Sequence, residues 1–110
     1  MSERIDYVEL RGGDLDATTA FYRQAFGWGF VDYGPDYAGF EGAGLDGGLF
    51  RSDDDGPPPL VVLKADDLEG AVARVEAAGG VITDPIFDFP GGRRFHFRDP
   101  AGNVLGVWAE

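Results

Sequence analysis

Cysteine is absent from this chain of 110 residues, and histidine occurs once. The first absence excludes disulfides, thiolate nucleophiles and cysteine-based zinc sites. The second excludes a two-histidine metal site within one subunit and leaves His96 as the sole imidazole. Long hydrophobic runs are missing too. No segment approaches the length of a membrane span, and the opening MSERID lacks the apolar stretch of a secretion signal. A cytoplasmic protein with no membrane partner is expected. Positive charge is scarce: 9 Lys and Arg stand against 20 Asp and Glu, a formal net charge of −11. Such a surface repels phosphate backbones, so nucleic acid is not an expected partner. The acidity serves solubility first, and affinity for cationic small molecules second.

What is present is enough for a core. Apolar residues make up 44% and aromatics 14% of the chain, too much hydrophobic side chain for a disordered segment and suited to one compact domain. The chain also repeats itself. When Val8 is laid over Val61, Leu10 meets Leu63, Arg11 meets Lys64, Asp14-Leu15 meets Asp67-Leu68, and Ala25 meets Ala78. Each copy reads strand, acidic cap, helix, glycine. Leu15, Tyr22 and Phe26 form the apolar stripe of the first helix; Leu68, Ala71, Val72, Val75 and Ala78 form that of the second. Asp66 with Glu69 resembles a capping box, and Gly79 or Gly80 supplies the left-handed stop. Short strands follow: FVDY, YAGFE and LDGGLF in the first half, VIT, RRFHF and NVLGVW in the second. The last two are joined by Asp99-Pro100-Ala101-Gly102-Asn103, which is strong hairpin chemistry. Module 1 therefore covers about 1–51 and module 2 about 60–110. Between them the linker at 52–59 carries three acids, a glycine and three prolines. It is a solvated connector; the spacing of a calcium loop is absent.

Two βαβββ halves, with Asp14-Leu15…Phe21-Tyr22…Phe26-Gly27 in the first and DPxGN at Asp99–Asn103 in the second, resemble the vicinal oxygen chelate superfamily. Glyoxalase I, methylmalonyl-CoA epimerase, extradiol dioxygenases and bleomycin-resistance proteins belong to it. The resemblance covers nearly the whole chain. It implies an α+β fold in which two βαβββ modules form a curved half-barrel sheet, with helices on the convex face and a cavity on the concave one. It also implies a homodimer, either domain-swapped or side by side.

The enzymes of that superfamily hold a divalent metal in the cavity, and the resemblance points to where its ligands would stand. The first-strand position falls on Tyr7, seven residues before Asp14. Its counterpart in module 2, seven before Asp67, falls on Leu60. The glutamate that follows the DPxGN turn is replaced by Gly106, and the further carboxylate of module 1 falls near Gly48, close to Asp46. A hard divalent ion needs several oxygen or imidazole donors converging on one point, and Leu and Gly provide none. A divergent member without the metal ligands is expected, with no metal, no cofactor and no glyoxalase I activity.

Period-two alternation puts Tyr7 and Glu9 on the vacated face of the first strand, and Val104, Gly106 and Trp108 on that of the last. If the hairpin pairs Arg98 with Val104, His96 lies across from Gly106 and shares that face; a one-residue slip reverses it. His96 is an acid–base candidate or, the favoured reading, a strand histidine bonded to a neighbour. Glu9 is a ligand contact or base, or else it pairs with Arg93, Arg94 or Arg98. Tyr7, Phe50 and Trp108 would wall an apolar pocket or an interface, while Trp28 belongs to the core. The candidate ligand-binding set is thus Tyr7, Glu9, Phe50, His96 and Trp108. The leading expectation is a metal-free protein that binds a small molecule of aromatic or cationic character, for sequestration or sensing, rather than an enzyme. A lyase- or isomerase-type enzyme using Glu9 and His96 as acid and base is the first alternative. A dimeric structural or regulatory module is the second.

Overall fold

The computed structural model describes residues 3–52 and 58–110, so the acidic triplet and most of the linker at 52–59 lie outside the described residues. The elements run β1 (Arg4–Gly13), α1 (Leu15–Phe26), β2 (Gly29–Asp32), β3 (Tyr37–Glu41), β4 (Asp46–Arg51), β5 (Leu60–Lys64), α2 (Leu68–Ala77), β6 (Val81–Phe89), β7 (Gly92–Arg98) and β8 (Val104–Ala109). This is an α+β fold with βαβββ written twice. The chain divides into a first unit, Tyr7–Pro59, and a second that combines residues 3–6 with Leu60–Glu110. Residues 3–6 are bound to the second unit by side chains: the Arg74 guanidinium donates to Glu3 at 2.5 Å, and the Trp108 indole N–H donates to Asp6 Oδ1 at 3.2 Å.

The two units share one internal order. In the first the strands lie β2-β3-β4-β1, in the second β6-β7-β8-β5. The outer pairs β1·β4 and β5·β8 are parallel, and the remaining neighbours are antiparallel. In each unit the parallel pair is the one whose strands lie on either side of the helix and hairpin, as a crossover connection requires.

Local chemistry starts and stops the helices. Asp14 caps α1 by accepting from the Ala17 amide at 3.2 Å, and Gly27, at φ 75°, ends it. In α2 the cap is Asp67 rather than Asp66. Its carboxylate accepts from the Gly70 amide at 3.0 Å. A capping box would need a long acceptor three residues after the cap; that place is Gly70, where a Cβ would collide with the Asp67 carboxylate itself. Gly79, at φ 101°, supplies the stop. Strand β6 runs well past the expected VIT, to Phe89 and through Pro85. It is bonded only to β7 within its unit, with register shifts on both sides of Asp84. An edge strand tolerates the missing proline N–H, which is why the sequence stops reading as strand before the strand ends.

Alternation divides each sheet into a helix face and an open face. Behind α1 sit Ala38, Phe40 and the fully buried Leu49. Tyr22 stacks on Trp28 at 4.7 Å, and Trp28 in turn meets Phe40 at 5.2 Å; Trp28 is half-buried, at the edge of the core rather than within it. From α2 itself Leu68, Ala71, Val72 and Val75 pack onto Phe95, Val107, Leu63 and Phe97 of the sheet. Among the described residues no helix is long and apolar enough to cross a membrane.

The hairpin turn sets the register of the second unit. Asp99 Oδ1 accepts from the Ala101 and Asn103 amides at 2.9 Å, and Oδ2 accepts from the Asn103 side chain at 2.9 Å. The pairing that results is Arg98 with Val104 and His96 with Gly106. These bonds, the Asn103 side chain foremost, hold the Asp99 carboxyl below its ordinary range. Its contribution is therefore present at neutral pH and is lost as pH falls through the lowered value. Asp99→Ala should lower Tm at pH 7, and the gap from wild type should close on acidification; a gap that persists in acid contradicts the assignment. Phe95→Ala, which empties a fully buried ring site, should cost about 3–5 kcal/mol in denaturant unfolding.

Candidate functional site

On the open face of the first unit, Tyr7 pairs with Asp46, Glu9 with Gly48, and Arg11 with Phe50, which in turn pairs with Tyr37. Paired residues share a face, so Tyr7, Glu9, Phe50 and Tyr37 point away from α1 together. Their hydroxyls form a chain. Tyr7 and Tyr37 are 2.5 Å apart at oxygen, and Tyr37 lies 3.2 Å from Glu9 Oε2. An ionised carboxylate only accepts, and each phenol has one proton. The arrangement that satisfies both contacts runs from Tyr7 to Tyr37 to Glu9. Burial raises the Tyr7 phenol, partly offset by its bond with Tyr37. Burial, the bond with Tyr7 and the charge of Glu9 push Tyr37 far above the ordinary phenol range.

Glycine makes this packing possible. The Tyr37 ring lies where a side chain at Gly48 would have to be. The adjacent Tyr33 ring lies over Gly39 in the same way: a Cβ there would come within 2.9 Å of it.

The open face of the second unit carries His96 and Trp108. His96 Nδ1 is 3.0 Å from Asp84 Oδ2, and its Nε2 is 3.1 Å from Arg94 Nε and 2.9 Å from an Arg94 terminal nitrogen. A guanidinium has only donors, so Nε2 must present its lone pair and the proton must sit on Nδ1, donated to Asp84. Both ring nitrogens of His96 are thus engaged. The ring covers Gly106, where a Cβ would meet His96 Cδ2 at 3.2 Å. Around the triad stand Phe87, edge-on to His96 at 5.5 Å, and Phe89, edge-on to Trp108 at 6.1 Å. The Arg94 guanidinium lies 5.8 Å from the Phe87 ring centre and 5.4 Å from that of Phe89.

Tyr7, Glu9 and Phe50 thus share the open face of the first unit, and His96 and Trp108 that of the second. Arg93, one of the partners considered for Glu9, is bound to Glu69 at 2.6 Å instead. The residues at the metal-ligand positions do not make a divalent site. Leu60 and Gly106 have no donor, Gly48 lies beneath a tyrosine ring, and Tyr7 shares its hydroxyl with Tyr37. Among the described residues no group of three or more His, Cys, Asp or Glu side chains comes together to hold a metal. A cavity of about 890 Å³ opens on the helix side of the first unit, lined by Thr19, Arg23, Phe30, Asp32, Arg51 and Ser52 among others. None of the candidate residues lines it, and its two arginines face three aspartates.

Sequence reasoning missed Tyr37, Arg94, Asp84, Phe87 and Phe89 as parts of these faces. Arg94 had a readable signal, because it lies two residues before His96 on the same strand and so on the same face. Tyr37 had none, since its place depends on the β3·β4 register. Asp84 and Phe87 belong to the stretch of β6 around Pro85.

A family model for the Glyoxalase/Bleomycin resistance protein/Dioxygenase superfamily matches residues 4–107. A comparison with curated proteins returns no match. Among solved structures, a superfamily member from Vibrio splendidus 12B01 aligns at TM-score 0.75 and 19% identity, covering 99% of this chain and 100% of its own. Methylmalonyl-CoA epimerase from Mycobacterium tuberculosis aligns at 0.76 and 16%, covering 96% of this chain and 86% of its own. The Mn(II)-bound glyoxalase from Novosphingobium aromaticivorans aligns at 0.69 and 27%; the match covers 97% of this chain and 38% of that one.

The hydroxyl chain has a spectroscopic consequence. Because folding raises the Tyr7 and Tyr37 values, their stabilising contribution is complete below the ordinary phenol pKa of about 10 and declines as pH rises above it. In an alkaline titration followed at 295 nm, part of the tyrosinate signal should emerge only with unfolding. In Tyr7→Phe/Tyr37→Phe that late component should vanish. A single early transition for the wild-type protein contradicts the arrangement.

Proposed function

Because the chain belongs to the Glyoxalase/Bleomycin resistance protein/Dioxygenase superfamily, we propose that it is a metal-independent small-molecule binding protein, acting by sequestration or sensing on its open sheet faces. One observation carries the reading. At Gly106 and at Gly48, on or near which the resemblance sets ligand positions, a neighbouring ring lies against the backbone: Tyr37 at Gly48 and His96 at Gly106. Space that a metal ligand would use is taken by side chains that are themselves hydrogen-bonded to Glu9 and to Asp84. Aromatic walls with a few convergent polar groups are the usual make-up of a small-molecule site. A homodimer is part of the same proposal and rests on the family resemblance.

The acid–base enzyme is the weaker reading. A general base needs an available lone pair, and the Nε2 lone pair of His96 accepts from Arg94.

A thermal-shift panel of aromatic and cationic compounds tests the proposal. A ligand present at about 100 times its Kd stabilises the folded state by about 2.7 kcal/mol, which reads as a Tm several degrees higher. Trp108→Ala should abolish the shift. A panel in which no compound raises Tm overturns the proposal.

A further inference from the structure

We propose that the cavity on the helix side of the first unit is a binding site separate from the open faces, and that it takes a short peptide with free termini. Arg23 holds the carboxylate of that peptide and Asp16 its ammonium group.

The cavity measures about 890 Å³ and lies wholly within the unit Tyr7–Pro59. That volume falls in the upper part of the range of about 300–1,000 Å³ typical of small-molecule sites. One wall is α1. Asp16, Thr19 and Arg23 follow each other at spacings of three and four, so they form one stripe down the helix. The other wall is the sheet. Phe30 pairs with the buried Phe40, Asp32 pairs with the buried Ala38, and Arg51 stands two residues beyond the buried Leu49. Strand alternation therefore turns all three toward the helix.

Opposite charges line this cavity without meeting. Among the described residues the Arg23 guanidinium pairs with no carboxylate; it lies over the Phe30 ring, 5.3 Å from its centre. The ring holds the plane of the guanidinium and leaves its N–H edges for a planar, bidentate acceptor, which is the shape of a carboxylate. Asp16 is exposed in the first turn of α1, and among the described residues its carboxylate has no partner. The other charges are placed differently. Asp14 and Asp32 accept from the Ala17 and Gly34 amides, and Arg51 reaches Asp36, outside the lining, at 3.8 Å.

The spacing selects the ligand. Asp16 and Arg23 are seven residues, about 10 Å, apart along the helix. That exceeds the single turn across which helical side chains pair. A ligand that meets both must carry a positive and a negative group set apart. An α-amino acid bears the two on one carbon. A di- or tripeptide separates them by one or two further residues of about 3.5 Å each. Thr19 stands between, buried, and its hydroxyl donates to the Asp16 carbonyl oxygen at 3.2 Å. The lone pairs of that hydroxyl remain for a peptide N–H. A simple anion would face three aspartates here and a simple cation two arginines; a peptide zwitterion presents each sign to its opposite.

The experiment titrates the full chain by calorimetry with trialanine, N-acetyl-trialanine and trialanine amide, which share a backbone and differ at one terminus. Each terminus makes a charge-assisted contact, so trialanine should bind about tenfold tighter, or more, than either blocked form. Arg23→Gln should bind trialanine and its amide alike and still discriminate against the acetylated form. Asp16→Asn should do the converse. Arg23→Lys, which keeps the charge and loses the planar fork, should retain part of the preference for the free carboxylate. Selectivity lost at one terminus and kept at the other is not a result that misfolding gives. Blocked forms that bind as well as trialanine overturn the proposal, and so does no binding at millimolar concentration. If the acetylated form alone matches trialanine, the cavity is an anion site and the peptide is overturned; if the amide alone matches it, the cavity is a cation site and the peptide is overturned again. Selectivity at both termini that survives both substitutions removes Arg23 and Asp16 from these roles. The reading of the open faces is decided separately, by the thermal-shift panel.

Discussion

Two rings lying on two glycines organise both open faces. Tyr37 occupies the space a side chain at Gly48 would need, and His96 covers Gly106. Each ring is then fixed by a carboxylate, Glu9 in one case and Asp84 in the other. A side chain at Gly48 would collide with the Tyr37 ring, and one at Gly106 would press on the His96 ring.

The repeat extends to this level of detail. Both units use the same strand order, the same parallel first-to-last pairing and the same acidic helix cap. Both set a polar chain on the face away from the helix. The chemistry differs: hydroxyls lead to Glu9 in the first unit, nitrogen donors and acceptors to Asp84 in the second. One face is rich in phenol and carboxylate, the other in guanidinium, imidazole and phenyl rings.

Much of the fold was legible because its signals are local. Asp14 and Gly27 mark the ends of α1, the DPAGN turn sets the β7·β8 register, and that register places His96 opposite Gly106. Strand alternation was enough to put Tyr7 and Glu9 on one face. The rest depended on contacts distant in sequence. Tyr37 is 30 residues from Tyr7, and nothing in the β2–β3 turn announces that it will lie on Gly48. Asp84 sits beside a proline that reads as a strand end, although an edge strand carries it. The capping residue of α2 was misplaced by one because Gly70 replaces the glutamate that a capping box would use.

Elemental analysis of the purified, tag-free protein, followed by calorimetric titration with Ni²⁺, Zn²⁺ and Mn²⁺, tests the account most directly. Tyr7, Leu60, Gly48 and Gly106 as they stand predict no stoichiometric metal and no tight binding of any of the three ions. One tightly bound ion per chain would contradict the account: the rings at Gly48 and Gly106 would then have to move aside for a metal, and glyoxalase-like chemistry would return as the leading function.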